Sequence, residues 1–146
     1  MVRTVLDTGQ LVMPTGRVYD FDRAEVARRT FLWRPKILNY PVQGLGADLV
    51  SIGRVTMWKR LHKAGLPVLF TSTVHDSVDL DVDPTSRLDI PADVCYNSVC
   101  TIVKESIEDI PINFYNLFGI KFDLPLTCEI GWGQNLKDLT PFVINH

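Results

Sequence analysis

Val68-Leu69-Phe70-Thr71-Ser72-Thr73-Val74-His75-Asp76-Ser77-Val78-Asp79-Leu80-Asp81-Val82 joins two runs of β-branched and apolar residues through a short polar break, His75-Asp76-Ser77. In the second run Val78, Leu80 and Val82 alternate with Asp79, Asp81 and Asp83. A period of two is the mark of a strand with one buried face. The stretch reads as strand, tight turn, strand, with an imidazole and a carboxylate at the turn. Such a turn can hold two polar side chains out from a rigid support toward a ligand.

Working upstream, Pro41 suits the first turn of a helix, where a missing N–H does no harm. Leu45, Leu49, Ile52, Val55, Trp58 and Leu61 recur at threes and fours, so the spacing predicts a helix over Gln43–Lys63 with that face buried. Gly65 serves as its C-terminal cap, and Asn39 could cap its N-terminus. Earlier still, Gln10–Met13 and Arg17–Phe21 flank Pro14-Thr15-Gly16 and read as a β-hairpin. Between Asp22 and Lys36 lie Arg23, Arg28, Arg29, Arg34 and Lys36. Such a strip suits a phosphate backbone, which Lys and Arg contact with little sequence preference. Glu25–Phe31 can make a helical turn or two, ended by Pro35.

Downstream, Pro84-Thr85-Ser86-Arg87 is a turn, and Pro91 opens a second helix over Ala92–Asp109. Its buried face is Cys95, Val99, Ile102, Val103 and Ile107, and Pro111 ends it. The aromatic stretch Phe114–Phe122 is expected to pack against the sheet, although such rings can also stack on bases. Leu124–Ile130 reads as a last strand pairing with the hairpin. The calcium-loop reading of Asp79, Asp81 and Asp83 fails, because the sixth position is Pro84 rather than Gly and the twelfth is Ile90 rather than Glu.

The 146 residues suit a single domain, and 46% hydrophobic with 22% charged content is globular rather than disordered. No apolar run is long enough to span a membrane, and the first residues lack a signal-peptide core. An intracellular, cytoplasmic protein is the expectation. Three cysteines without metal-ligand spacing read as buried free thiols. The net charge of −2 hides an asymmetry: residues 1–66 carry eleven Lys/Arg against five Asp/Glu, residues 67–146 four against twelve. That split fits one face meeting phosphates and another binding cations, and equally a surface balanced overall.

Val74-His75-Asp76-Ser77 resembles the third motif of family A DNA polymerases, the His-Asp hairpin of the palm. Asn39-Tyr40-Pro41-Val42-Gln43-Gly44-Leu45-Gly46-Ala47-Asp48 is similar to that family's Asn-x-Pro-x-Gln-Gly-x-x-Ala-Asp segment. Glu129-Ile130-Gly131-Trp132-Gly133-Gln134-Asn135 resembles its closing Glu-Val-Gly-x-Gly-x-Asn-Trp. The three occur in the family's order across most of the chain. The resemblance implies an α+β fold: an antiparallel palm-type sheet with a His-Asp β-hairpin and two main helices, Gln43–Lys63 and Ala92–Asp109, on one face. It places Gln43 near Asp76, beside exposed apolar surface where further polymerase structure would dock.

The resemblance also assigns roles. Asp76 becomes a ligand of a two-metal Mg²⁺ site, because hard cations take carboxylate oxygens and can stabilise the attacking and leaving oxygens of nucleotidyl transfer. His75 positions the primer end. Asn39 and Gln43 touch the minor-groove edge, whose acceptor pattern is nearly degenerate and so tolerates any sequence. Arg17 approaches DNA phosphate, or is a solvated hairpin arginine. Arg34, with Lys36 as neighbour, is the basic residue preceding the Asn. The partners implied are primer-template DNA and dNTP.

Two departures qualify this. Ser77 stands where an acid commonly follows the Asp. The Lys-x-x-x-Asn-Phe-Gly-x-x-Tyr-Gly pattern of the fingers and the earlier palm aspartate are not among these residues. The expectation is a palm fragment or subunit of a phage-type DNA polymerase, in the host cytoplasm if viral. A second polymerase chain carrying the fingers and first palm aspartate would complete it. The alternative is a non-catalytic DNA-binding accessory subunit or relic.

Overall fold

A computed structural model describes residues 1–87 and 89–143, and the chain divides into two compact units, Met1–Asp48 and Leu49–His146. In the first unit, α1 (Val2–Thr8) precedes a hairpin of β1 (Gln10–Val12) and β2 (Val18–Asp20), paired Gln10↔Asp20, Leu11↔Tyr19 and Val12↔Val18. Gly16, at φ 84°, supplies the left-handed residue that closes the loop, and its N–H donates to Met13 O at 2.9 Å. The Asp22 carboxylate accepts from Glu25 N at 3.1 Å and caps α2 (Arg23–Arg28). Val5, Leu11, Phe21, Val26 and Ile37 form the core of this unit.

The long helix α3 runs Thr30–Lys63 and contains both Pro35 and Pro41. The expected helix over Gln43–Lys63 therefore begins at Thr30, and Asn39 lies inside it rather than capping it. A proline in a helix interior costs about 3 kcal/mol relative to alanine. Here packing outweighs that cost: Ile37 is fully buried between the two prolines. Trp33 meets Phe21 edge-on at 6.2 Å, and Tyr40 stacks on Phe21 at 6.1 Å.

In the second unit α3 ends in a double-bonded glycine cap. Gly65 (φ 62°) donates to His62 O at 3.0 Å and Leu66 N to Leu61 O at 3.2 Å. The chain then forms an antiparallel hairpin, β3 (Val68–Val74) with β4 (Ser77–Val82). Val68, Phe70, Val78, Leu80 and Val82 pack on Met57 and Leu61 of α3 and on Val99 of α4 (Ala92–Glu108). The expected buried stripe of α3 is corrected here, since Val55 and Trp58 are 48% and 53% exposed while Met57 and Leu61 are buried. Gly53 is why. A Cβ there would lie 2.9 Å from Cδ1 of both Ile107 and Ile110, so the helix makes its close approach on the Gly53–Met57 side.

Helix α4 ends at Glu108, just before Pro111 as expected, and α5 (Ile110–Phe118) follows with Pro111 in its first turn. Phe114 packs with Phe118 and Phe122, ring centroids 4.9 and 5.8 Å away. The expected strand over Leu124–Ile130 does not form: apart from Ile130 O, which accepts from Phe142 N at 2.8 Å, these residues join no ladder, and β5 (Gly131–Trp132) instead pairs with β6 (Thr140–Pro141). Among the described residues the strands form three separate two-stranded ladders rather than one sheet. Leu124–Ile130 contains Pro125, which lacks a ladder donor.

Candidate functional site

His75 and Asp76 are the two loop residues of the β3–β4 hairpin, closed by the Val74↔Ser77 pair. His75 has φ 54°. A two-residue hairpin loop with positive φ at its first position is what the twist of the flanking strands favours, usually with glycine there. Histidine tolerates this region better than most side chains do. The Ser77 hydroxyl donates to Val74 O at 2.9 Å and ties the base of the loop. Both loop side chains are exposed. Among the described residues no group of three His, Cys, Asp or Glu is gathered that could hold a metal ion. Asp76 presents a single carboxylate open to solvent.

The ladder behind this tip is irregular. Phe70 pairs with Leu80 but Ser72 with Asp79, so Thr71 is an extra, bulged residue whose hydroxyl donates to Asp79 O at 3.0 Å. Strict alternation from Val68 would turn Ser72 and Val74 toward the helix. The bulge turns Thr73 there instead, where its hydroxyl accepts from Nη1 of Arg54 at 3.2 Å. On the other face the Ser72 hydroxyl donates to the Asp79 carboxylate. Asp83 caps the single 3₁₀ turn that follows, accepting from Thr85 N at 3.0 Å, and the bonds from Thr85 hold its carboxyl below the ordinary range.

In the first unit Arg17 reaches Asp48, the last residue of the Asn39–Asp48 segment, with Nε to Oδ2 at 3.3 Å and Nη2 to Oδ1. The Thr15 hydroxyl joins the same carboxylate at 3.2 Å. Bonding and charge from Asp48 raise the Arg17 guanidinium further above its ordinary value. Tyr19 crosses to the helix as well, its hydroxyl donating to Tyr40 O at 3.0 Å. A Cβ on Gly44 would lie 1.6 Å from that hydroxyl, so the glycine of the segment makes room for Tyr19. Sequence reading missed both the Asp48 and the Gly44 roles, because their partners are distant in sequence.

Arg34, Asn39 and Gln43 are exposed on α3. Asn39 and Gln43 are four residues apart and share a face, whereas Arg34 lies about 140° round from Asn39 at 3.6 residues per turn. Lys36, three before Asn39 and seven before Gln43, shares their face better. Its ammonium sits 4.6 Å from the centroid of the Trp33 ring.

These residues belong to a chain related in sequence to DNA polymerases. It is 27% identical over 139 residues to the DNA polymerase of Bacillus phage SP01, covering 94% of this chain and 14% of that protein. It is 35% identical over 97 residues to the thermostable DNA polymerase I of Thermus filiformis, covering 66% of this chain and 9% of that protein. The chain thus spans 14% or less of the length of these relatives. No family model matches the chain, and no solved structure matches it. Among the described residues no helix is long and apolar enough to cross a membrane.

Proposed function

We propose that the chain is the carboxy-terminal part of the palm of a family A, phage-type DNA polymerase, and that it contributes to nucleotidyl transfer onto a primer. The observation that carries this reading is Asp76, exposed at a two-residue turn beside His75 and braced by the β3–β4 ladder. The three motif stretches and the relationship to two DNA polymerases support it. In this reading Asp76 gives one carboxylate to Mg²⁺, His75 positions the primer end, and Asn39 and Gln43 lie along the minor-groove edge. Lys36 or Arg34 and, once released from Asp48, Arg17 meet phosphates. Bound Mg²⁺ would supply charge stabilisation to the attacking and leaving oxygens. The earlier palm aspartate and the residues that grip the dNTP would come from polymerase sequence outside these residues, in the same polypeptide or on a partner chain.

The test is primer extension by the complete enzyme carrying Asp76→Ala. Extension should fall by about a hundredfold to a thousandfold, as expected when a group that stabilises developing charge is removed, while duplex binding persists. Undiminished extension would refute the catalytic assignment. Ser77 in place of an acid favours a second reading. That reading is a non-catalytic DNA-binding chain, for which the same experiment leaves extension intact and Gln43→Ala weakens duplex binding.

A further inference from the structure

We propose that Arg54 is a further DNA-contact residue, which holds a backbone phosphate of the primer strand beside the His75-Asp76 turn. The inference rests on the polymerase reading and adds to it a residue that none of the three motif stretches contains. Arg54 is exposed on α3 and reaches the hairpin from the side that α3 covers. Its Nη1 donates to Thr73, two residues before His75, or about 7 Å along a strand. The bulge at Thr71 makes that bond possible by turning Thr73 toward the helix.

The rest of the guanidinium is what points to an anion. Arg17, Arg60 and Arg87 each pair with a carboxylate, Asp48, Asp109 and Asp89. Arg54, like Arg3, Arg23, Arg28, Arg29 and Arg34, has no ion pair among the described residues; what sets it apart is that it reaches the hairpin that carries Asp76. One of its five N–H donors is used on a neutral hydroxyl. Bonded to Thr73 through one N–H, the planar fork has donors to spare, and such a fork suits phosphate oxygens. A nucleic-acid strand whose end lies at His75 and Asp76 would bring a phosphate within reach of it.

The test titrates the complete enzyme that contains this chain with a fluorescent primer–template duplex at increasing NaCl. Arg54→Ala should weaken binding about tenfold at low salt and reduce the slope of log affinity against log salt by about one, the signature of one lost phosphate contact. Arg54→Lys should keep the slope. Thr73→Val, which removes the brace but leaves the charge, should also keep it. Lys121→Ala, which removes a cation paired only with exposed Asp123, should change neither affinity nor slope. Should the alanine variant unfold, Arg54→Gln, which retains a donor for Thr73, carries the same expectation. If the unsubstituted enzyme binds duplex and the slope of the Arg54 variants is unchanged, Arg54 only braces the hairpin and the proposal is overturned. If the unsubstituted enzyme binds no duplex at all, the polymerase reading fails and takes this inference with it.

Discussion

Two glycines of α3, Gly44 and Gly46, separate what a helix wants from what its neighbours permit. Alanine in place of glycine in a helix interior is favourable by roughly 0.5–1 kcal/mol. At Gly46 an added Cβ meets nothing within 4 Å, so Gly46→Ala should stabilise by that amount. At Gly44 the same Cβ would lie 1.6 Å from the Tyr19 hydroxyl and 3.2 Å from Cδ of Arg17. Tyr19 cannot yield without losing its bond to Tyr40 O. Gly44→Ala should therefore destabilise by about 1–3 kcal/mol, the usual range for overpacking. Thermal unfolding of the two variants under one buffer checks the opposite signs; equal shifts would show that Tyr19 does not lean on this helix. The adjacency of His75 and Asp76 could be seen in the sequence because it is covalent. The Arg17–Asp48 and Tyr19–Gly44 meetings could not, because nothing local in either segment specifies its partner.

At the level of single elements, legibility followed the strength of local signals. The bounds of α4 were readable to within a residue because Pro91 fixes the start and the apolar spacing carries to Ile107. The start of α3 was misplaced because Pro35 and Pro41 are strong local stop signals, and the burial of Ile37 that outweighs them is a tertiary fact. The bulge at Thr71 was invisible because threonine suits any strand position, paired or bulged. Helix α4 also makes a titration prediction. Burial raises the Cys100 thiol from an ordinary 9.0 to about 11, with the neighbouring Cys128 adding to it. A folded-state pKa above the unfolded one gives stability that is fully present below about pH 9 and is lost as pH rises toward 11. Urea unfolding of the parent and Cys100→Ala should therefore diverge over that window, the parent losing more. Parallel curves would mean that the thiol ionises as freely in the fold as out of it.

Taken across the molecule, positive charge stops where α3 stops rather than where the first unit ends. Arg54, Lys59, Arg60 and Lys63 continue the basic run of the first unit, and only residues 67–146 turn acidic. Within the second unit the basic end of α3 therefore lies against acidic elements, and Arg60 pairs with Asp109 of the α4–α5 junction at 2.5 Å. The hairpin on that helix is a two-stranded ladder with both edges unpaired among the described residues. An isolated two-stranded ladder is marginal, and an open edge invites a further strand. Leu69 and Val74, on the face turned away from α3, are 69% and 55% exposed. A second copy of the chain can cover these groups, so the purified chain should self-associate as its concentration rises. Leu69→Lys should suppress this without lowering the melting temperature, because Leu69 loses no burial and pairs across the ladder with Asp81. Static light scattering over a hundredfold concentration range decides it: a monomer throughout would mean that the hairpin edge is protected in ways its two strands do not explain.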